Sequence, residues 1–172
     1  MNKLLLAELS RITEEEQRIL EGRSGVDQTL YSEGSDFVIT SGKMLKEGRL
    51  IRVRPHTRFV HFPRHTHNYV EMIYMCSGQT THIINKTRLV LQTGELLILN
   101  QHATQEILPA GREDVAVNFI ILPEFFDQTL AMLGSEQSML RDFVVGCLQT
   151  ADSPLSYLHF KVSAVLPVQN LL

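Results

Sequence analysis

Apolar positions follow one period at the two ends of the chain and another in the middle. Near the N-terminus Leu5, Leu9, Ile12 and Ile19 recur at three- to four-residue steps or their multiples, with Glu14, Glu15 and Glu16 on the polar side, which predicts helix. Thr13 followed by Glu16 fits a capping box, so the helix is expected to break and restart there, with Gly22 and Gly25 ending it. Residues 22–35 carry Ser24, Asp27, Gly34 and Ser35 and read as loop, interrupted by Leu30-Tyr31. From Asp36 the period falls to two. Short apolar runs follow at Phe37–Thr40, Leu50–Arg54, Arg58–Phe62, Asn68–Cys76, Gln79–Ile84, Arg88–Leu91, Glu95–Asn100, Gln105–Leu108 and Val115–Leu122, divided by turn signals such as Ser77-Gly78 and Thr93-Gly94. Many short strands at this spacing predict an antiparallel sandwich or small barrel.

After Pro123 the period is helical again. Pro123 suits a first helical position, Glu124 the positive end and Gly134 the C-cap. A second helix is expected over Glu136–Gln149, where Met139, Leu140, Phe143, Val144, Cys147 and Leu148 form an apolar stripe that either covers the barrel or pairs two copies of the chain. Tyr157–Val162 reads as one more strand, and Leu166-Pro167 as the start of a helix cut off in its first turn. The expected organisation is therefore a helix and loop over 1–35, a β-barrel over 36–122 and a helical dimerisation region over 123–172.

Composition narrows the function. The 172 residues are 44% hydrophobic and 20% charged, as in a globular domain. No run of about 18 apolar residues offers a membrane span. The leucines at 4–6 make too short an apolar stretch for a signal peptide, so a cytoplasmic protein is expected. Sixteen basic against nineteen acidic residues give a net charge of −3, without the footprint of a nucleic-acid-binding domain. Cys76 and Cys147 have neither disulfide-framework nor metal-ligand spacing.

Six of the seven histidines fall between His56 and His102. On a single strand His65, His67, Tyr69, Glu71, Ile73 and Met75 would share one face. Two imidazoles and a carboxylate then converge, and three readings stand: a divalent metal such as Zn or Ni, a small polar effector, or a buried hydrogen-bonded network. His56 and His61 are expected at the strand surface or barrel mouth, and His82 as an ordinary sheet residue. Of Arg52, Arg54, Arg58, Arg64 and Arg88, Arg58 joins the candidate pocket, since a barrel-mouth arginine holds a carboxylate or sugar hydroxyl through forked hydrogen bonds.

The run His65-x-His67-x-x-x-Glu71, then six residues and Gly78, resembles the first motif of the cupins, and Gly94–Gln105 resembles the second. Gln105 stands where that family has its last ligand histidine, and Phe59 where it has a glycine ahead of the first. From Asp36 to Leu172 the chain is similar to the N-terminal effector domain of AraC-type transcriptional regulators, most clearly at Arg58–His67, Gly94–Gln105 and Asn118–Phe126. That resemblance implies a mainly β, cupin-like jelly roll with flanking helices. It further implies a small-molecule effector, a homodimer, and DNA contact through a separate C-terminal domain with helix-turn-helix units. The implied effector pocket holds His65, His67, Tyr69, Glu71, Gln105 and Arg58, and the implied metal set is His65, His67, Glu71 and Gln105. A small metal-dependent cupin enzyme, a dioxygenase or sugar isomerase, is the alternative.

Overall fold

The computed structural model of the protein describes residues 3–22, 25–32, 37–133, 136–149 and 155–170. The expected sheet boundary at Asp36, the cap at Gly134, the loop residues Ser24, Gly34 and Ser35, and the final Leu171-Leu172 lie outside the described residues.

The N-terminal helix breaks where the capping box predicts, into α1 (Lys3–Leu9) and α2 (Glu14–Leu20). Thr13 Oγ1 accepts from the Glu16 N–H at 3.2 Å and Glu16 Oε2 accepts from the Thr13 N–H at 3.0 Å. Glu16 does not lie on a polar face, however; it is 1% exposed.

Ten strands follow the alternating runs: β1 (Val38–Ile39), β2 (Ile51–Pro55), β3 (Phe62–His67), β4 (Val70–Ser77), β5 (Gln79–Ile84), β6 (Thr87–Gln92), β7 (Leu96–Leu99), β8 (Gln105–Ile107), β9 (Val115–Ile121) and β10 (Tyr157–Phe160). They form two five-stranded sheets, ordered β1-β3-β8-β5-β6 and β10-β7-β4-β9-β2, antiparallel apart from the β1–β3 pair. The fold is a mainly β, cupin-like jelly roll with helices at both ends. A one-turn helix, α3 (Ser41–Met44), follows β1; after the sheets come α4 (Phe126–Met132), α5 (Met139–Leu148) and α6 (Leu166–Gln169).

The strand expected at Arg58–Phe62 begins only at Phe62. Phe59 takes a left-handed φ of 67°, which no strand residue adopts, so the chain turns at the position where cupins carry glycine. Gly78, between β4 and β5, has φ 73°, and a Cβ there would meet Asp114 Oδ1 at 2.2 Å, so this turn admits only glycine.

Between the sheets, one end is filled by Ile73, Met75, Ile84, Leu91, Leu97, Leu99 and neighbours, and the other by Tyr31, Ile39, Phe62, Tyr69, Ile107 and Ile120. β4 is buried on both faces, which explains its unbroken apolar run. Its outward Val70 packs with Ile121 and Leu158 against Phe143 and Cys147 of α5. Its outward Tyr74 and Cys76 meet Leu6 and Leu9 of α1. The stripe on α5 thus covers the barrel through Phe143, Val144 and Cys147, while Met139 and Leu140 remain exposed.

Candidate functional site

His65 and His67 lie on β3 in one sheet and Glu71 on β4 in the other. The single-strand reading is corrected: the chain leaves one sheet after His67, turns at Asn68-Tyr69 and enters the facing sheet at Val70. The corner is fixed from outside, where Asn68 Oδ1 accepts from the Ser41 N–H at 2.7 Å. His67 and Glu71 still converge, because inward faces of the two sheets look at each other; His67 Nε2 lies 3.7 Å from Glu71 Oε2.

Gln105 on β8 is fully buried and joins them. Its Oε1 lies 3.3 Å from His67 Nε2 and its Nε2 lies 3.0 Å from His82 Nδ1. His82 Nε2 in turn meets Thr80 Oγ1 at 2.8 Å. His82 is thus an interior partner of the predicted site, not an ordinary sheet residue.

His56, expected at the surface or mouth, is also interior. Its Nδ1 lies 3.0 Å from Asn118 Oδ1, and Asn118 Nδ2 donates to Glu71 Oε1 at 2.8 Å. A carboxylate only accepts, so the amide nitrogen of Asn118 must face Glu71 and its oxygen must face His56. His56 therefore donates from Nδ1, and its Nε2 is a bare lone pair. No hydrogen-bond partner meets His56 Nε2, His67 Nδ1 or Glu71 Oε2, all three buried.

Burial lowers the basicity of all four interior imidazoles. His65, which is also beside His67, and His67 are each held at about 4. His56 is lowered and His82 lies well below the usual range, again through burial first. Burial thus favours the uncharged form of these rings at neutral pH.

A cavity of about 30 Å³ lies beside this network, lined among others by His56, His65, Tyr69, Glu71, Asn118 and Ile120 but not by His67 or Gln105. It has room for a water-sized group but not for a metabolite, for which pockets of roughly 300–1,000 Å³ are usual. Beside it a surface cleft of about 520 Å³ runs between α2, α3 and β2. Tyr31, Arg54, His56 and Thr57 line both spaces and form the wall between them. The wall is latched by α2: Arg54 Nη2 donates to Glu15 Oε2 at 3.2 Å, to the Tyr31 hydroxyl at 3.1 Å and to Thr57 Oγ1 at 3.1 Å. Tyr31 donates to Glu15 Oε1 at 2.5 Å.

Arg58 lies elsewhere. Its Nε donates to Glu16 Oε1 at 2.7 Å and its Nη2 to Glu16 Oε2 at 2.9 Å, and its remaining donors serve the carbonyls of Ser10, Arg11 and Arg112. It fastens α2 to the barrel and does not line the cavity. Burial alone would raise the Glu16 carboxyl, but hydrogen bonds from Arg58 and the Thr13 N–H outweigh it and hold it below its ordinary value.

The residues do not fit the implied metal. Among the described residues no three His, Cys, Asp or Glu side chains are grouped to hold an ion. Gln105 Oε1 faces His67 Nε2 at 3.3 Å, so that nitrogen carries a proton where a metal ligand would need a lone pair.

Two facing sheets with a small cavity between them, walled off from a surface cleft by side chains tied to α2, have the architecture of a cupin-type barrel. The sequence model of the AraC-like ligand binding domain matches residues 47–155, and the chain belongs to that family. No curated protein matches it in sequence. Among solved structures it is similar to apo ToxT from Vibrio cholerae (10% identity, TM-score 0.48, covering 70% of this chain and 44% of that one). It is also similar to unsaturated fatty acid-bound ToxT (11% identity, TM-score 0.46, 74% and 47%) and to a cupin-2 domain protein from Shewanella frigidimarina (14% identity, TM-score 0.33, 41% and 66%). The chain spans less than half the length of the ToxT chains it matches. No helix among the described residues is long and apolar enough to cross a membrane.

Proposed function

We propose that this chain is the effector-sensing part of an AraC-type regulator, binding a small molecule between the two sheets and pairing with a second copy through its C-terminal helices. DNA would be contacted by another domain, in keeping with the chain's net charge of −3. The observation that carries the reading is the cavity between the sheets together with the outer cleft of about 520 Å³ that shares its Tyr31, Arg54, His56 and Thr57 wall. Two residues that line the cavity, His56 and Glu71, each bury a polar atom without a hydrogen-bond partner, a cost that folding tolerates at functional sites. The latch gives a ligand there a consequence. Opening the wall between cavity and cleft displaces Glu15, and with it the N-terminal helix that carries it.

A thermal-melt screen against common bacterial metabolites tests this. An effector at a hundred times its dissociation constant stabilises the natural chain by about 2.7 kcal/mol. The gain is lost in Ile120→Phe, which fills the cavity at an overpacking cost of about 1–3 kcal/mol. An effector that stabilises Ile120→Phe equally would place binding elsewhere. Pairing is supported by exposed Phe125, Met132, Met139 and Leu140 on the helical segment. Sedimentation at hundreds of micromolar should show a dimer, weakened by Leu140→Glu; a monomer throughout would remove this part of the reading.

A further inference from the structure

One edge strand leaves its main chain open, and its side chains define what would close it. β2 lies at the end of its sheet and pairs with β9 alone. The Leu50 carbonyl accepts from the Leu122 N–H and the His56 N–H donates to the Ala116 carbonyl, each at 2.9 Å, so the even-numbered residues turn their main-chain groups to β9. Ile51 and Val53 therefore turn theirs the other way, two N–H and two C=O groups with no partner among the described residues. The edge is reachable, since Leu50, Ile51 and Val53 are 47%, 40% and 55% exposed.

The two faces of the strand differ. Ile51 and Val53 stand opposite Ile121 and Phe119, on the apolar outward face that packs against α5 further along the sheet. Arg52 stands opposite Ile120, on the other face. Beside it a groove of about 340 Å³ gathers Lys43, Lys46, Arg49 and Arg52, with no acid in its lining. No hydrogen bond or ion pair occupies the side chains of Lys46 and Arg49 among the described residues. From Lys43 to Arg54 the chain carries five basic residues and one acid, Glu47, within a sequence of net charge −3.

We propose that the edge of β2 is a docking site for an extended segment of a partner protein that alternates acidic and apolar residues, added to the sheet as a further strand. The added strand takes up the open main-chain groups of Ile51 and Val53, which gives affinity without regard to sequence. Sequence is then read by the faces. Residues beside Ile51 and Val53 lie on the apolar face, and those beside Arg52 lie over the basic groove. A second copy of this chain does not fit. Two β2 strands paired antiparallel about Arg52 or about Val53 would set arginine against arginine, Arg52 on Arg52 or Arg52 on Arg54. A charged edge of this kind repels its own copy and accepts a strand of opposite charge.

Two short peptides test this, both acetylated and amidated: Glu-Val-Glu-Val-Glu and Lys-Val-Lys-Val-Lys. Each is titrated into the labelled chain at low salt, where charge is least screened, and followed by amide chemical shifts and hydrogen exchange. The acidic peptide should saturate at least tenfold tighter than the basic one and slow exchange at the Ile51 and Val53 N–H groups at least tenfold. Lys46→Glu combined with Arg49→Glu should cost the acidic peptide at least tenfold in affinity and leave the melting curve unchanged, because neither side chain holds a hydrogen bond of the fold. Equal affinity for the two peptides, or saturation with neither, would overturn the proposal. So would saturation without slowed exchange at residues 51 and 53, since charge alone would then account for binding. Exchange at those residues that slows as protein concentration rises, with no peptide present, would give the edge to a second copy and overturn it as well.

Discussion

Among the buried carboxylates of the described residues, Glu16 and Glu71 are treated in opposite ways. Glu16 receives donors on both oxygens, from Arg58 at 2.7 and 2.9 Å and from the N–H groups of Arg58 and Thr13, each at 3.0 Å. Glu71 receives one donor, on one oxygen, from a neutral amide. A buried charge with every lone pair answered locks two elements together; one left half answered is held ready for something else. Position agrees with this. Glu16 fastens α2 to the loop that precedes β3, while Glu71 lines the cavity.

The largest expected effect comes from breaking the completed pair. Arg58→Met leaves Glu16 buried beside carbonyl oxygens and should cost about 3–5 kcal/mol in urea denaturation. A loss under about 1 kcal/mol would mean that the pair is held together by the fold and not the reverse.

Acid should act next, through the histidines. Their folded pKa values lie below the ordinary 6.5, at about 4 for His65 and His67, so the unfolded chain binds more protons in between. Stability is then complete above about pH 6.5 and is lost as pH falls toward 4, by several kcal/mol in all. His82→Gln should flatten this slope. A stability that stays level from pH 7 to 4.5 would contradict the uncharged state of the buried imidazoles.

Smaller again is the latch. Tyr31→Phe removes the hydroxyl bonded to Glu15 and Arg54, at a cost of about 0.5–1.5 kcal/mol. Because the wall then opens more readily, association of any cavity ligand should quicken in stopped-flow measurements. An unchanged rate would place the entrance elsewhere.

Most of the strand pattern was legible in the sequence, since alternation is a local property; Gln79–Ile84 forms over the expected residues and Val115–Ile121 over all but the last. What local pattern could not show is where a strand changes sheet. His65, His67 and Glu71 have the parity of one strand, yet a two-residue corner divides them. Their convergence depends on the sheets facing each other. Glu16 looked solvent-exposed because three glutamates stand in a row, and its buried partner Arg58 is 42 residues away. The interior roles of His56 and His82 were missed for the same reason. One signal was available: Asn118 is a lone amide in the apolar run Val115–Ile121, and such a residue needs a buried polar partner. The glycine-like turn at Phe59 was marked only by the resemblance to cupins.

The central claim is that Glu16 belongs to the scaffold and Glu71 to the site, and the two isosteric substitutions tested side by side without ligand address it most directly. Glu16→Gln leaves Arg58 buried without its counter-charge and should lower unfolding free energy by about 3 kcal/mol or more. Glu71→Gln keeps the acceptor for Asn118 and replaces only an oxygen that has no hydrogen-bond partner, so it should change stability by less than about 1 kcal/mol in either direction. Equal losses in the two variants would contradict the account, because Glu71 would then be as much a part of the scaffold as Glu16.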